Sequence, residues 1–169
     1  ETLQTMGVTA NTYFAEGPAL YAQASRGHVA GMTGPHDFPG EIGVAHSMYT
    51  EARQFSNFMV SLLAQRGLSP EGYHKMLEPQ VATPLDPEDQ PQWPGRYGLG
   101  FHLMNTPFGL AYGHGGNNGN FTCQFELYPE QGMGFVVFTN ADSGSLLVNA
   151  LREYLVIGRP TVEASLPTR

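Results

Sequence analysis

The residues best suited to chemistry gather in one stretch, Tyr112-Gly113-His114-Gly115-Gly116-Asn117-Asn118-Gly119-Asn120. Its four glycines lack a Cβ, so backbone can approach backbone or a ligand closely, and N–H groups can turn toward an anion. No Gly-Lys-Ser/Thr follows, which excludes a phosphate loop. Asn118 stands where the third glycine of the dinucleotide pattern Gly-x-Gly-x-x-Gly belongs. A histidine among glycines is either a turn residue or a catalytic one, and the strand-like runs on both sides favour the catalytic reading.

The other histidines, His28, His36, His46, His74 and His102, show no His-Glu-x-x-His, His-x-His or cysteine-paired spacing, so neither a metal nor a cofactor is expected. Each reads as a surface or core residue. Asp142-Ser143-Gly144-Ser145 has the outline of a nucleophile elbow but reads as a helix start with a capping side chain. Asp86-Pro87-Glu88-Asp89 lies in a proline-rich stretch over 84–95 and lacks the EF-hand spacing, so it reads as a solvated loop.

The elements that must position His114 follow from periodicity. Turn signals are dense over 17–43, which predicts a loop-rich excursion. Thr50 resembles an N-cap for a helix carrying Phe55, Phe58, Met59, Leu62 and Leu63, stopped by Gly67. Ser69-Pro70-Glu71 opens a shorter helix with Tyr73, Met76 and Leu77 on its apolar face, ended by Pro79. Beyond Arg96 the period becomes two: a strand over 97–104, another in which Phe121, Cys123, Phe125 and Leu127 alternate with polar residues, and a third over 133–139. Pro129-Glu130-Gln131-Gly132 is hairpin chemistry and makes the last two strands antiparallel neighbours. Leu146, Leu147, Ala150, Leu151, Tyr154 and Leu155 give a closing amphipathic helix across one face. The expected fold class is α+β, an antiparallel meander of at least three strands flanked by helices. Residues 1–158 carry the patterned elements and 159–169 read as a patternless tail.

Composition narrows the partners. The 169 residues carry 8 Lys plus Arg against 15 Asp plus Glu, a net charge of −7, and only one lysine, Lys75. Scattered cations disfavour nucleic acid, whose phosphates need a basic patch. No apolar run approaches the roughly 18 residues of a membrane span. The single cysteine, Cys123, cannot form an internal disulfide.

Several pieces, in this order, resemble the C-terminal half of the serine β-lactamase-related superfamily, which includes class C β-lactamases, DD-peptidases and related esterases. They are the run from Leu3 to Phe14, then Gly43 with Ser47-Met48-Tyr49-Thr50 opening a helix, then Tyr97-Gly98-Leu99-Gly100-Phe101. Tyr112-Gly113-His114-Gly115-Gly116 follows, leading into a strand, then the Pro129-Glu130 turn and Gly134-Phe135-Val136-Val137-Phe138-Thr139-Asn140. The resemblance spans residues 3 to about 155 and implies a β-lactamase/transpeptidase-like fold, incomplete in this chain.

That family works through Ser-x-x-Lys, Tyr-x-Asn and Lys/His-x-Gly elements, with lysine and tyrosine exchanging the serine proton and backbone N–H groups holding the acyl oxyanion. Only the third is present, as His114-Gly115-Gly116. Lys75 has Gly72 three positions before it, and none of the eight tyrosines has asparagine two residues on. The resemblance therefore implies no nucleophile or base in this chain. It implies His114 as the motif residue, His114, Gly115, Gly116 and Asn117 as the substrate-binding strand, and the Asn117 backbone N–H as an oxyanion donor. The glycines leave room for a substrate backbone, and histidine in place of lysine makes the charge pH-dependent, so an esterase or amidase is as well supported as a β-lactamase.

Taken alone, these residues are expected to be inert. The expected partners are a small ester, amide or β-lactam, together with an N-terminal half or a second copy pairing at an exposed sheet edge. A non-catalytic module keeping the fold is the alternative. The family suggests a periplasmic or secreted location, and no signal is visible in the chain.

Overall fold

The computed structural model describes residues 2–14, 17–34, 43–82 and 95–158. The acidic run at 86–89, most of the 84–95 loop, His36 and the 159–169 tail lie outside the described residues.

The chain opens with two single-turn helices, α1 (Thr2–Thr5) and α2 (Pro18–Tyr21), and a small hairpin of β1 (His28–Val29) and β2 (Met32–Thr33). Two longer helices follow, α3 (Ala52–Leu63) and α4 (Pro70–Leu77). Then come β3 (Val81–Ala82), β4 (Gly95–Tyr97), β5 (His102–Thr106), β6 (Gly109–Asn117), β7 (Thr122–Tyr128) and β8 (Met133–Thr139). The last helix is α5 (Gly144–Arg152), prolonged by a wide π-helical turn over Glu153–Ile157. Strands β3 to β8 form a six-stranded antiparallel sheet in sequence order, the meander expected of an α+β chain.

Alternation along the strands produces two cores. One face of the sheet presents Leu103, Tyr112, Phe125 and Leu127 to Phe55, Met59 and Leu62 of α3 and Tyr73 of α4. The Phe55 ring anchors this layer, edge-on to Phe125 at 5.0 Å and to Phe138 at 5.5 Å. The other face presents Met104, Ala111, Tyr128 and Phe135 to Val156 beyond α5.

Local chemistry explains two element ends that flank the sheet. Ser69 caps α4 by accepting from the Gly72 N–H at 3.1 Å, with Pro70 at the first helical position. Gly132, at φ +62°, closes the turn between β7 and β8.

Four local expectations are corrected. Thr50 does not cap α3, because its hydroxyl is engaged with that of Thr12 at 2.8 Å; Glu51 occupies the cap position without a side-chain cap bond. Ser143 occupies the cap of α5 but makes no cap bond, and the neighbouring Asp142 carboxylate accepts from the Ala30 N–H at 2.9 Å. The single strand expected over 97–104 is a hairpin: the Gly98 N–H bonds Phe101 O at 2.9 Å and Gly100 takes φ +82°, folding β5 back on β4. The glycine-rich segment around His114, read as a connection between strands, is itself most of strand β6, near the middle of the sheet.

Candidate active site

His114, Gly115, Gly116 and Asn117 occupy the C-terminal half of β6, and all four are strand residues. On one side each is paired with β7: His114 with Phe125, Gly115 with Gln124, Gly116 with Cys123 and Asn117 with Thr122. On the other side the ladder with β5 runs from Thr106↔Gly109 to His102↔Gly113 and stops. Among the described residues, no strand pairs with 114–117 on that side. The sheet therefore opens a four-residue backbone edge at the segment marked out by its sequence, and such an edge can accept an extended ligand as an added strand.

The glycines here serve the sheet first. A Cβ on Gly113 would lie 2.0 Å from Phe125 O, and one on Gly115 would lie 2.2 Å from Gln124 Oε1. A Cβ on Gly116 would approach Cys123 Sγ at 3.1 Å. The close approach predicted for a ligand is thus already required by strand β7. The Cys123 thiol is half-buried, and burial pushes its pKa up, partly offset by a hydrogen bond from the Gly116 backbone.

His114 is exposed, and its Nδ1–H donates to Gly115 O at 2.7 Å. A carbonyl can only accept, so this bond assigns the proton to Nδ1 and leaves Nε2 free to take or release one. Beside it stand two residues not singled out for chemistry by the sequence. The His102 ring lies 5.8 Å from the His114 ring, and Tyr97 lies 4.0 Å from His102 and 6.2 Å from His114. Burial lowers the His102 pKa and the nearby His114 lowers it further, while burial raises that of Tyr97. The only signal for His102 in the sequence was its place directly after the Tyr97–Phe101 run.

The end of β6 turns through Asn117–Phe121. Asn117 Oδ1 accepts from the Gly119 N–H at 2.8 Å, and the Asn118 N–H bonds Phe121 O at 2.9 Å. Gly119 takes φ +81°. The excursion after α2 docks at this end of the sheet: Asn120 packs on Gly27, and the His28 N–H bonds Asn140 O at 2.8 Å. His28 is a structural latch, with Nδ1–H donating to Asn140 O and Nε2 accepting from the Thr33 hydroxyl, each at 3.0 Å.

Among the described residues no group of three or more His, Cys, Asp or Glu is placed to hold a metal. No helix among the described residues is long and apolar enough to cross a membrane. A cavity of about 200 Å³ lies between α3, α4 and the start of β6, lined by Leu62, Tyr73, Leu110 and Tyr112, at the other end of the strand from Asn117.

The Beta-lactamase family profile matches residues 6–156. No curated protein matches the chain. Among solved structures, the octameric penicillin-binding protein homologue from Pyrococcus abyssi superposes with a TM-score of 0.75 at 19% identity, covering 93% of this chain and 36% of that one. The D-stereospecific amidohydrolase from Streptomyces sp. superposes with a TM-score of 0.61 at 19% identity, covering 94% of this chain and 46% of that one. The chain therefore spans less than half the length of either, and at these identities the likeness establishes the fold.

Proposed function

The chain belongs to the beta-lactamase family, and from that premise we propose that it supplies the substrate-binding strand of a serine acyl hydrolase acting through an acyl-enzyme. The substrate class is a small ester, an amide or a β-lactam. The observation that carries the reading is the end of the β5–β6 ladder at His102↔Gly113, which frees the backbone edge of His114, Gly115, Gly116 and Asn117.

In this reading an extended acyl substrate lies along that edge as an added strand, aligned by backbone hydrogen bonds. Gly115 and Gly116 present no side chain toward it. The Asn117 N–H, at the last rung of the ladder, points its dipole at the oxygen that becomes negative in the tetrahedral intermediate. His114, with Nε2 unprotonated in the neutral ring, offers an acceptor beside the acyl group and becomes a cationic donor when protonated. Nucleophile and base come from outside these 169 residues, because Ser-x-x-Lys and Tyr-x-Asn are absent from them. The complementary N-terminal portion would carry both.

The test is covalent labelling. The intact polypeptide, or this chain reconstituted with an N-terminal portion carrying Ser-x-x-Lys, should be acylated by a β-lactam or a serine-directed ester probe, and the adduct detected by intact mass. No labelling under any such reconstitution would sink the proposal. The 169-residue chain alone should turn over no ester. The missing motifs also support a second reading, a non-catalytic module that keeps the fold. Binding of an extended ligand at the β6 edge without acylation in the intact protein would favour it.

A further inference from the structure

His114 is one of two imidazoles at the open edge. His102 occupies the last rung of the β5–β6 ladder, directly opposite Gly113 on one side and Tyr97 on the other. Tyr97, His102 and His114 then make edge-on contacts, with interplanar angles of 81° for Tyr97–His102, 68° for His102–His114 and 62° for Tyr97–His114. His102 is half-buried in this cluster, whereas His114 is exposed.

We propose that His102 is a positioning residue for His114: packed against both the Tyr97 and the His114 rings where the β5–β6 ladder stops, it fixes the His114 imidazole beside the open edge. The functional meaning rests on the reading that this edge holds substrate; the geometry does not. An exposed histidine would otherwise exchange rotamers freely on a picosecond to nanosecond scale. Edge-to-face packing against a ring that is itself held by Tyr97 restricts that freedom.

The coupling of the two rings follows from burial and proximity. Among the described residues, the titratable groups facing the His102 ring are Tyr97 from β4 and His114 from β6. Burial keeps Tyr97 in its neutral phenol form. Glu126, in line on β7 across Gly113, is engaged by Arg152, Tyr128 and Gln124. Burial first and the nearby His114 second disfavour a proton on His102, so the two rings sense one another.

The test needs no catalysis. Long-range proton–nitrogen spectra of the 169-residue chain, recorded from about pH 4.5 to 8.5, follow both rings through the imidazole range. The His102 midpoint should lie below that of a free imidazole and rise in His114→Gln. In His102→Ala the His114 ring should lose its contacts to Tyr97 in nuclear Overhauser spectra, and His102→Phe, which keeps a ring at this position, should restore a fixed His114 ring. A His102 midpoint unmoved by His114→Gln overturns the coupling of the two rings. A His114 ring still fixed beside Tyr97 in His102→Ala overturns the positioning role. If His102→Ala fails to fold, a mobile His114 ring in a folded His102→Gln supports the role and a fixed one overturns it. Because none of these spectra depends on a nucleophile, they separate failure of this assignment from failure of the acyl-hydrolase reading, which the labelling experiment reports.

Discussion

Arg152 at the end of α5 grips Glu126 in the middle of β7 through both Nε and Nη2, and Glu126 is completely buried. Tyr128 Oη donates to the other carboxylate oxygen at 2.7 Å, and Gln124 Nε2 reaches the first at 3.2 Å. The amide oxygen of Gln124 is the atom that a Cβ on Gly115 would strike. Helix α5 is thereby tied through Arg152, Glu126 and Gln124 to the strand that carries the candidate site.

Removing the cation from this pair should be costly. Arg152→Met leaves a carboxylate buried with only neutral donors, and breaking a buried pair from one side typically costs about 3–5 kcal/mol. Urea unfolding should show a loss of that order, and the double substitution Glu126→Leu with Arg152→Met should recover part of it, since no charge is then stranded. Equal stabilities for Arg152→Met and the unsubstituted chain would show that the pair is not what holds α5 to the sheet.

The glycines of β6 should not be equivalent. At Gly113 the neighbour a Cβ meets is the β7 backbone, which cannot move without parting the strands, so Gly113→Ala should destabilise by about 1–3 kcal/mol. At Gly116 the neighbour is the end of the Cys123 side chain at 3.1 Å, which can yield by a few tenths of an ångström. Gly116→Ala should therefore cost clearly less in the same unfolding assay. The reverse order would contradict this account of the strand.

These two positions also show what was legible in the sequence. Alternation of Phe121, Cys123, Phe125 and Leu127 and the Pro129–Gly132 turn gave β7 and β8 and their pairing, because period two and turn chemistry are local signals. The helix packed by Phe55, Met59 and Leu62 was readable for the same reason. Strand β6 was marked at 114–117 by the resemblance alone and not by periodicity, because its glycines, which signal a loop in isolation, are dictated by a neighbour on another strand. The hairpin at Gly98–Phe101 was masked by an apolar run continuous across the turn. His114 could be singled out from its glycine context. His102 could not, since its role depends on the β5–β6 register, which only tertiary structure sets.

Alkaline pH should unfold the chain through its buried tyrosines. Burial, with a contribution from Tyr73, pushes the Tyr112 phenol from 10.0 up to about 12, and burial and the Glu126 charge raise Tyr128 as well. A raised phenol contributes fully below its unfolded value; above it the unfolded chain ionises first, so stability falls as pH rises from about 10 toward 12. Each such tyrosine adds a slope of up to about 1.4 kcal/mol per pH unit. Phenolate absorbance should lag behind that of the denatured chain until far-ultraviolet circular dichroism collapses, and Tyr112→Phe should make the pH dependence shallower. Full ionisation of all tyrosines with the fold intact would contradict the assignment.

Among the described residues strand β8 is an edge of the large sheet, and Met133–Thr139 carries neither charge nor proline to protect it. Leu146 and Leu147 on the adjoining helix α5 are exposed at 72% and 51%, so an apolar surface continues beside that edge. The proposed partner is an N-terminal portion of the intact protein or, failing that, a second copy of this chain. By itself the chain should sediment as a concentration-dependent mixture of monomer and dimer or larger species, with β8 amides gaining hydrogen-exchange protection as concentration rises. Met133→Lys, which places a charge at the exposed start of the edge, should shift that equilibrium toward monomer. A strictly monomeric chain at every concentration, with β8 amides protected throughout, would mean that the edge is already covered within the chain and needs no partner.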